Sequence, residues 1–352
     1  MFNADADVSP ALHPRMTAGA SIAELGGALR AAGARPRHET LILRAWVRGL
    51  PLDAFAHSED TQLPLTLRRA LPKLAERFAE LVRIVSEHRG IDGSSRFLLG
   101  LTDRRTIESV LLPGDGVCVS TQVGCAVGCV FCMTGRDGLA RHLTSGEIVA
   151  QVALARTRQP VRRVVLMGMG EPAHNLDSVL DAVALLGSQG DLAQKNIVFS
   201  TVGDRRVFER LPLESIKPAL ALSLHTTKPE LRARLLPRAP RIDPAELVAL
   251  ADEYSRATKY PTQYQWTLLE GVNDGDDELE ALATLLAGHY AVVNFIPYNT
   301  VDGAEFRRPS WERAAEVARF LHRRGVLAKV RRSAGQDVEA GCGQLRARAR
   351  PG

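Results

Sequence analysis

The spacing of hydrophobic and polar residues changes character near residue 90. From Ser21 to about Glu87, hydrophobic residues recur at helical intervals, and SIAELGGALRAAG opens with a capping box formed by Ser21 and Glu24. The last helical stretch reads LRRALPKLAERFAELVRIVSEH. The sequence therefore predicts a small helical domain after a loose arm over residues 1–15. RFLLGL and TIESVLLP then alternate as strands do, which predicts a hairpin leading into the main domain.

From about Gly116 onward, short hydrophobic segments alternate with amphipathic ones. The strand candidates are VCVST, VRRVVLMGM, NIVFST, PALALSLHT, QYQWTLLEGV, AVVNFIPYN and VLAKVRR. The helix candidates are SGEIVAQVALART, LDSVLDAVALLGSQ, DPAELVALADEYSRAT, DDELEALATLLAGH and SWERAAEVARFLHRRG. This alternation is typical of a parallel sheet covered by helices, and it predicts an α/β fold. Six or so units suit an open or closed barrel, in which chemistry gathers at the C-terminal ends of the strands.

The composition is that of an ordinary globular protein: of 352 residues, 45% are hydrophobic and 24% charged. No hydrophobic run is long enough for a transmembrane helix, and MFNADADVSPALHPRM lacks the features of a secretory signal. We therefore expect a protein of the reducing cytoplasm that does not bind membranes. Lysine and arginine number 45 against 40 acidic residues. This mild excess permits nucleic-acid binding, although solvated helix faces would explain it equally well.

Four of the five cysteines lie within VCVSTQVGCAVGCVFCMTG. Cys125, Cys129 and Cys132 form the spacing C-x3-C-x2-C, and Cys118 precedes them in a predicted strand. In a reducing compartment such clustering indicates metal binding or catalysis more often than disulfides. Three thiolates can hold a 4Fe-4S cluster and leave one iron open to a small molecule. Structural zinc is the alternative, because it prefers four ligands and Cys118 could supply the fourth.

Glycines and polar residues follow several other predicted strands. In VVLMGMGEPAHN, Gly168 and Gly170 allow backbone to approach a ligand, and Glu171 supplies a carboxylate. Later strands end at Ser200, Ser223, Leu224, His225 and Asn299. Each of these residues alone is more often a strand-end cap than a ligand. Together, at one edge of a parallel sheet, they could surround a single cofactor.

The C-x3-C-x2-C loop, with Phe131 directly before its third cysteine and GMGEP after it, resembles the radical-SAM superfamily. The resemblance implies that Cys125, Cys129 and Cys132 hold a 4Fe-4S cluster. Its open iron would bind the amino and carboxylate groups of S-adenosylmethionine. The residues implied to surround that cofactor are Gly170, Glu171, Ser200, Ser223, Leu224, His225 and Asn299.

The resemblance narrows to the RlmN/Cfr-type RNA adenosine methyltransferases. The motifs VCVSTQVGCAVGCVFC, GMGEP, LSLH, VND, IPYN and DVEAGCGQL occur in the order of that family, between about Glu108 and Leu345. The family implies a partial (β/α)6-type radical-SAM barrel over residues 96–345. It also implies a helical RNA-binding domain over residues 1–95, and the chain closes with a basic tail over 346–352.

The family implies a methyl transfer in two steps. One S-adenosylmethionine methylates Cys342; a second is cleaved at the cluster, and the resulting radical takes a hydrogen from that methyl group. The methylene radical adds to C2 or C8 of adenine, and Glu108 takes the proton from the attacked carbon. Cys118 then releases the product by forming a disulfide with Cys342. Barrel closure would make the first and last strands neighbours and so bring Cys118 to Cys342.

Other interpretations remain for two of these residues. Cys342 could be a buried small hydrophobic residue, although Gly341 and Gly343 favour a mobile, exposed loop. Glu108 could be an exposed carboxylate on a strand.

The resemblance also implies partners and a target. The target would be C2 of an adenosine in 23S rRNA, with tRNA as a second candidate substrate and C8 as the rival position. An electron donor such as flavodoxin would supply the reducing electron, and we expect a monomer. A zinc-stabilised RNA-binding protein without catalysis is the alternative of a different class.

Overall fold

The computed structural model describes residues 19–56 and 61–347. The chain begins with three helices: α1 (Ile22–Ala31), α2 (Pro36–Val47) and α3 (Leu65–Ala79). The predicted capping box is present at the start of α1, where the Ser21 backbone amide donates to the Glu24 carboxylate at 2.6 Å. The arm predicted over residues 1–15 lies outside the described residues, as does most of the predicted basic tail.

The helical prediction was wrong at its C-terminal end, because RIVSEHR forms a strand. This strand, β1 (Arg83–Arg89), pairs antiparallel with β2 (Ser95–Gly100), which pairs antiparallel with β3 (Thr106–Leu112). The hairpin predicted from RFLLGL and TIESVLLP is thus confirmed, and β1 adds a third strand to it. The hydrophobic residues of RIVSEHR have helical spacing, but the segment contains the β-branched residues Ile84 and Val85, and the edge of β2 is available for pairing. These two features favour the strand.

Strands and helices alternate through the rest of the chain. The further strands are β4 (Gly116–Cys118), β5 (Gln122–Gly124), β6 (Leu139–His142), β7 (Arg163–Leu166), β8 (Ile197–Thr201), β9 (Ala219–Ser223), β10 (Thr262–Leu268), β11 (Ala291–Pro297) and β12 (Leu327–Val330). The further helices are α4 (Ser145–Arg156), α5 (Leu176–Ser188), α6 (Arg205–Arg210), α7 (Pro229–Leu235), α8 (Pro244–Thr258), α9 (Asp276–Leu285) and α10 (Trp311–Arg323). The strand and helix candidates of this region are all confirmed, whereas the β5–β6 ribbon, α6 and α7 were missed.

The main sheet has the strand order β1-β2-β3-β4-β7-β8-β9-β10-β11-β12. From β4 through β12 its neighbours are parallel. In the described residues β12 pairs with β11 alone, and β4 lies between β3 and β7. The fold is therefore an incomplete α/β barrel, as the resemblance implied. The predicted closure between the first and last strands was wrong, because the hairpin strand β3 occupies the free edge of β4.

The N-terminal helices pack against the barrel through α4, which is buried on nearly all sides. The backbone amide of Ile22 donates to the Ser145 hydroxyl at 3.0 Å, and the Thr144 hydroxyl donates to the Ala20 carbonyl at 3.0 Å. Gly146 must be a glycine here, because a Cβ would lie 2.1 Å from the Ala20 carbonyl oxygen. Across residues 19–56 and 61–347, no helix has the length and hydrophobicity that crossing a membrane requires.

Candidate active site

The loop that carries the three spaced cysteines, residues 125–138, is closed at its base by the β5–β6 ribbon. The Cys125 amide donates to the Gly138 carbonyl at 2.9 Å. Gly124 has φ +79°, and a Cβ on it would lie 2.1 Å from the same carbonyl oxygen. The ribbon therefore needs glycine at this position, and it fixes the point at which the cysteine loop leaves the sheet.

Two adjoining cavities lie at the site. The smaller, here called the inner chamber, has a volume of about 150 Å³ and lies at the C-terminal ends of the parallel strands. The larger, here called the outer chamber, has a volume of about 990 Å³ and extends along the inward face of the sheet. Residues that line both cavities mark their junction: Met167, Gln265, Ile296 and Cys342.

Cys125, Cys129 and Cys132 all line the inner chamber. Burial raises the pKa of Cys125 to about 12, and burial together with the charges of Cys132 and Cys125 raises the pKa of Cys129. The three thiols are therefore close enough to influence one another, so anionic ligands there need a cation.

The donor set suits a cluster better than a single ion. Within the described part of the chain, no three His, Cys, Asp or Glu side chains are placed to hold one metal ion. A four-iron cluster takes each thiolate on a different iron, so its ligands surround it instead of meeting at one point. The arrangement of Cys125, Cys129 and Cys132 around one cavity fits that requirement.

Glu171 lies in the segment that follows β7, with its side chain buried in the wall of the inner chamber. Its carboxylate accepts the amide N–H of Ala173 at 3.1 Å and that of Val202 at 2.9 Å. Burial raises the pKa of Glu171 to about 7, although these hydrogen bonds favour the charged form. A cationic group in the chamber would stabilise the carboxylate, as the amino group of S-adenosylmethionine would.

His225 is held as a neutral imidazole in the same chamber. Burial lowers its pKa to about 3, and the charge of Arg232 lowers it further. Nδ1 accepts the Thr267 amide N–H at 3.0 Å, so the ring proton is on Nε2. The ring packs edge-on against Phe131 with centroids 4.9 Å apart. The backbone of His225 is in the left-handed region at φ +64°, a strained conformation that marks functional sites.

The remaining predicted cofactor residues divide by the direction of their side chains. Gly170, Ser200, Ser223 and Asn299 line the inner chamber. Leu224 does not line it: its side chain is fully buried in the hydrophobic core, because alternate residues at the end of β9 point in opposite directions. The structure therefore gives the Leu224 side chain no access to a cofactor.

Asn299 links this chamber to the segment that carries Cys342. Its Nδ2 donates to the Cys342 carbonyl at 3.0 Å and to the Ser333 hydroxyl at 2.8 Å. Its buried Oδ1 has no hydrogen-bond partner within the described residues. Because a buried unpaired acceptor is costly, this oxygen fits a donor on a bound ligand such as an adenine amino group.

Cys342 is solvent-exposed and lies at the junction of the two chambers. Its segment is tied to the cysteine loop, since the Met133 amide donates to the Gly343 carbonyl at 2.7 Å and the Thr134 hydroxyl donates to the Leu345 carbonyl at 2.7 Å. Desolvation by the surrounding protein raises the pKa of Cys342, and the positive charge of Arg331 opposes that rise. The predicted exposure of Cys342 is confirmed, and hydrogen bonds hold its loop in place.

Cys118, in β4, lines the outer chamber and is not among the residues of the inner one. Burial raises its pKa to about 12, and the nearby Cys342 adds to the rise. Cys118 and Cys342 are thus neighbours. The strand that contains Cys118, β4, and the strand that precedes Cys342, β12, are nevertheless not paired. The outer chamber brings them together across the open side of the barrel.

Glu108 is not brought together with the others. It lines neither chamber, and its side chain is almost completely buried. One carboxylate oxygen accepts from Arg96 at 2.6 Å, and the other accepts the amide N–H groups of Arg346 at 2.7 Å and Ala347 at 3.0 Å. In this conformation Glu108 holds the C-terminal segment. The alternative interpretation from the sequence, that Glu108 is an exposed carboxylate on a strand, was wrong. Its implied role as proton acceptor stays a prediction.

Sequence reasoning missed a buried cation behind the inner chamber. Arg232, in α7, donates to the carbonyls of Val202 and Ser223, the latter at 3.0 Å. Burial lowers its pKa to about 10, while the nearby Cys129 and Glu171 favour its charged form. Arg232 therefore places positive charge beside the thiolates. The surrounding sequence, PELRARLLPR, contains several arginines, and nothing in it distinguishes the buried one.

Comparison with known proteins agrees with this geometry. A family model described as the Radical SAM superfamily matches residues 119–286. The chain is 66% identical over 328 residues to a probable RNA methyltransferase of Methylibium petroleiphilum, covering 93% of each protein. It is also 66% identical over 326 residues to a probable RNA methyltransferase of Thiobacillus denitrificans, covering 93% of this chain and 90% of that protein.

A solved structure shows the same architecture. The fold matches that of a radical SAM methyltransferase from Sphaerobacter thermophilus with a TM-score of 0.81 and 38% sequence identity. The match covers 95% of this chain and all of that one.

Proposed function

The chain belongs to the radical-SAM RNA methyltransferases, and on that premise we propose that it methylates C2 of an adenosine in 23S rRNA by way of a methyl group on Cys342. It is an enzyme that uses a 4Fe-4S cluster and S-adenosylmethionine, as its motifs predicted. The proposal concerns the target atom, the RNA and the carrier. A tRNA is a second candidate substrate.

The position of Cys342 carries the proposal. A carrier must receive its methyl group from S-adenosylmethionine on one side and deliver carbon to RNA on the other. Cys342 lines both the inner chamber, with the three ligand cysteines, and the outer chamber, with Cys118. On this proposal the three cysteines of the inner chamber are cluster ligands, Cys342 at the junction is the carrier, and Cys118 in the outer chamber is the resolving thiol.

The inner chamber prepares the cofactor site. A 4Fe-4S cluster and S-adenosylmethionine, when bound, supply the methyl group and the radical chemistry. Cys125, Cys129 and Cys132 would hold the cluster, while Glu171 would accept the amino group of the cofactor. The neutral His225 offers an N–H donor without adding charge. Asn299 would accept from the adenine while its other end holds the Cys342 backbone.

In the outer chamber we assign Cys118 the release of the product. In the adduct a methylene carbon joins the adenine to the carrier sulfur. Attack of a second thiolate on that sulfur forms a disulfide and breaks the carbon–sulfur bond, whose electron pair stays with the methylene carbon; that carbon then takes up a proton and becomes the methyl group. Because burial raises the pKa of Cys118 to about 12, its thiol is protonated while it waits. The proton must leave as the attack begins.

The N-terminal helices are proposed to help bind RNA. The exposed residues of α3 include four basic side chains, Arg68, Arg69, Lys73 and Arg77. None of these four forms an ion pair within residues 19–56 and 61–347, so their charge remains available to phosphate groups. We further propose a monomer in the cytoplasm that receives electrons from a flavodoxin-like donor.

Nucleoside mass spectrometry of rRNA and tRNA tests the proposed function. We expect 2-methyladenosine from 23S rRNA to disappear when the gene is deleted and to return with the wild-type gene but not with Cys342→Ala. Loss of 8-methyladenosine instead would move the reaction to C8. Unchanged nucleosides in both RNA classes would contradict the proposal.

A further inference from the structure

The outer chamber has a wall of polar and cationic side chains that the proposed chemistry does not use. Because side chains alternate along a strand, the inward face of the sheet presents Arg163 from β7, Gln263 and Gln265 from β10, and Asn294 from β11. The segment after β12 adds Arg331 and Arg332, and Arg162 lies beside Arg163. These side chains give an otherwise largely hydrophobic chamber one polar and cationic wall, which can contact an anionic group.

Two of these arginines, Arg163 and Arg331, line the same chamber and influence each other electrostatically. Burial lowers the pKa of Arg163, and the positive charge of Arg331 lowers it further. The charge of Arg331 also reaches Cys342, since it opposes the rise in the pKa of that thiol. Arg331 therefore lies within electrostatic range of both Arg163 and the methyl carrier.

The other two arginines of this wall are already engaged. Arg162 forms an ion pair with Asp115 at 3.6 Å. The guanidinium of Arg332 lies over the ring of Trp311, 5.2 Å from its centroid. By contrast, neither Arg163 nor Arg331 forms a side-chain hydrogen bond or ion pair in the described parts of the chain.

In the described residues Asp92 and Asp337, two acidic residues of the chamber, form no ion pair with Arg163 or Arg331. Asp92 accepts the Gly335 amide N–H at 2.9 Å and the Ser94 hydroxyl at 2.6 Å. Asp337 accepts the Ile91 amide N–H at 3.0 Å. These carboxylates fasten the segment after β12 to the hairpin. Arg163 and Arg331 therefore remain two like charges that an anion would stabilise.

We propose that Arg163 and Arg331 together bind one phosphodiester group of the RNA substrate, next to the adenosine that is methylated. The inference rests on the proposed function for the identity of the ligand. Guanidinium groups match the oxygens of a phosphate in pairs, and phosphate contacts set the register of a nucleic acid. A phosphate held there keeps the neighbouring base near Cys342. The base itself must leave its stack to enter the chamber.

RNA binding at several salt concentrations tests the proposal. The probe is unmodified 23S rRNA transcribed in vitro, and the proteins are the cluster-containing wild type, Arg163→Gln and Arg331→Gln. Each variant should bind about tenfold more weakly at low salt, because a charge-assisted hydrogen bond is lost. The slope of log affinity against log salt should fall by about 1, the value for one phosphate contact.

Arg319→Gln is the matched control. Arg319 is an exposed arginine of α10 that lines neither chamber. Its substitution by glutamine removes the same charge as the other two substitutions do. Its variant should keep the wild-type slope. Arg163→Lys should also keep that slope, because it retains the charge, and it guards against a folding defect in Arg163→Gln.

The outcomes separate this inference from the proposed function. If the wild type methylates the transcript while Arg163→Gln and Arg331→Gln keep the wild-type affinity and slope, the phosphate site is refuted and the proposed function is retained. If the wild type binds the transcript and transfers no methyl group to it or to tRNA, the proposed function fails instead. An equal loss of slope in Arg319→Gln would also refute a specific site.

Discussion

The two chambers differ in how far the chain itself holds their ionisable side chains. In the inner chamber Glu171 accepts two backbone amides, and His225 accepts one through Nδ1. In the outer chamber Arg163 and Arg331 have no counter-ion among the described residues, and the volume is several times larger. A site for radical chemistry needs side chains that are fixed in advance. A site for a large anionic substrate can leave charges for the substrate to neutralise.

The largest expected effect comes from the inner chamber. Cys125→Ala should abolish the iron–sulfur absorbance and all cleavage of S-adenosylmethionine, because one of the three proposed thiolate ligands is lost. Affinity for unmodified 23S rRNA should stay within about twofold of wild type, since Cys125 lies outside the outer chamber. Iron analysis and filter binding check the two parts. A full cluster in this variant would remove Cys125 from the ligand set.

Cys118→Ala should have the opposite pattern of effects, leaving the cluster intact and blocking the step proposed for the outer chamber. The variant should keep its cluster and methylate Cys342, because Cys118 does not line the inner chamber. It should then stop with RNA covalently attached. Protein purified from cells should therefore shift on a denaturing gel after nuclease treatment. Normal turnover, or an inert protein that never traps RNA, would exclude Cys118 as the resolving thiol.

The pH dependence of product release sharpens the same point. With the pKa of Cys118 raised to about 12, the thiolate fraction at neutral pH is small and grows with pH. Decay of the wild-type protein–RNA adduct should therefore accelerate about tenfold per pH unit between about pH 7 and about pH 9. Rapid quenching of a single turnover measures the decay. A rate independent of pH would mean that a base removes the proton before the attack.

Glu108→Gln should have the smallest effect on binding. The buried Arg96 would lose its counter-ion, so the free energy of unfolding should fall by about 3–5 kcal/mol. Thermal unfolding of the variant measures this loss, with Glu87→Gln on the exposed β1 pair as control. If Glu108 is also the proton acceptor, the variant should in addition accumulate RNA adduct. Unaltered stability would contradict the structural role.

The sequence identified candidate residues that belong to motifs, and it missed candidates that only the fold brings together. The cysteine loop, Glu171, His225 and Asn299 follow strands, so their meeting at one edge follows from a parallel sheet. Arg163 and Arg331 come from opposite ends of the barrel, and no local pattern distinguishes them from the other arginines. The Leu224 side chain lies in the core, while its neighbours Ser223 and His225 line the inner chamber, and the cofactor role implied for Leu224 stays a prediction.

The structure also explains why barrel closure could not be inferred. The hairpin that was predicted correctly supplies β3, and β3 pairs with the edge of β4 that closure would have used. Cys118 and Cys342 nevertheless face one cavity, because the space between the first parallel strand, β4, and the last, β12, is open. The proximity of Cys118 and Cys342 was thus predicted for a reason that the topology does not support.

The most direct test of the carrier role follows the methyl carbon. Enzyme made in cells fed carbon-13-labelled methionine would be purified with its cluster and given unlabelled S-adenosylmethionine, reductant and unmodified 23S rRNA for a single turnover. We predict that the first adenosine methylated carries the labelled carbon and that Cys342 loses it. An unlabelled first product, with the label retained on the protein or never found on Cys342, would contradict the claim.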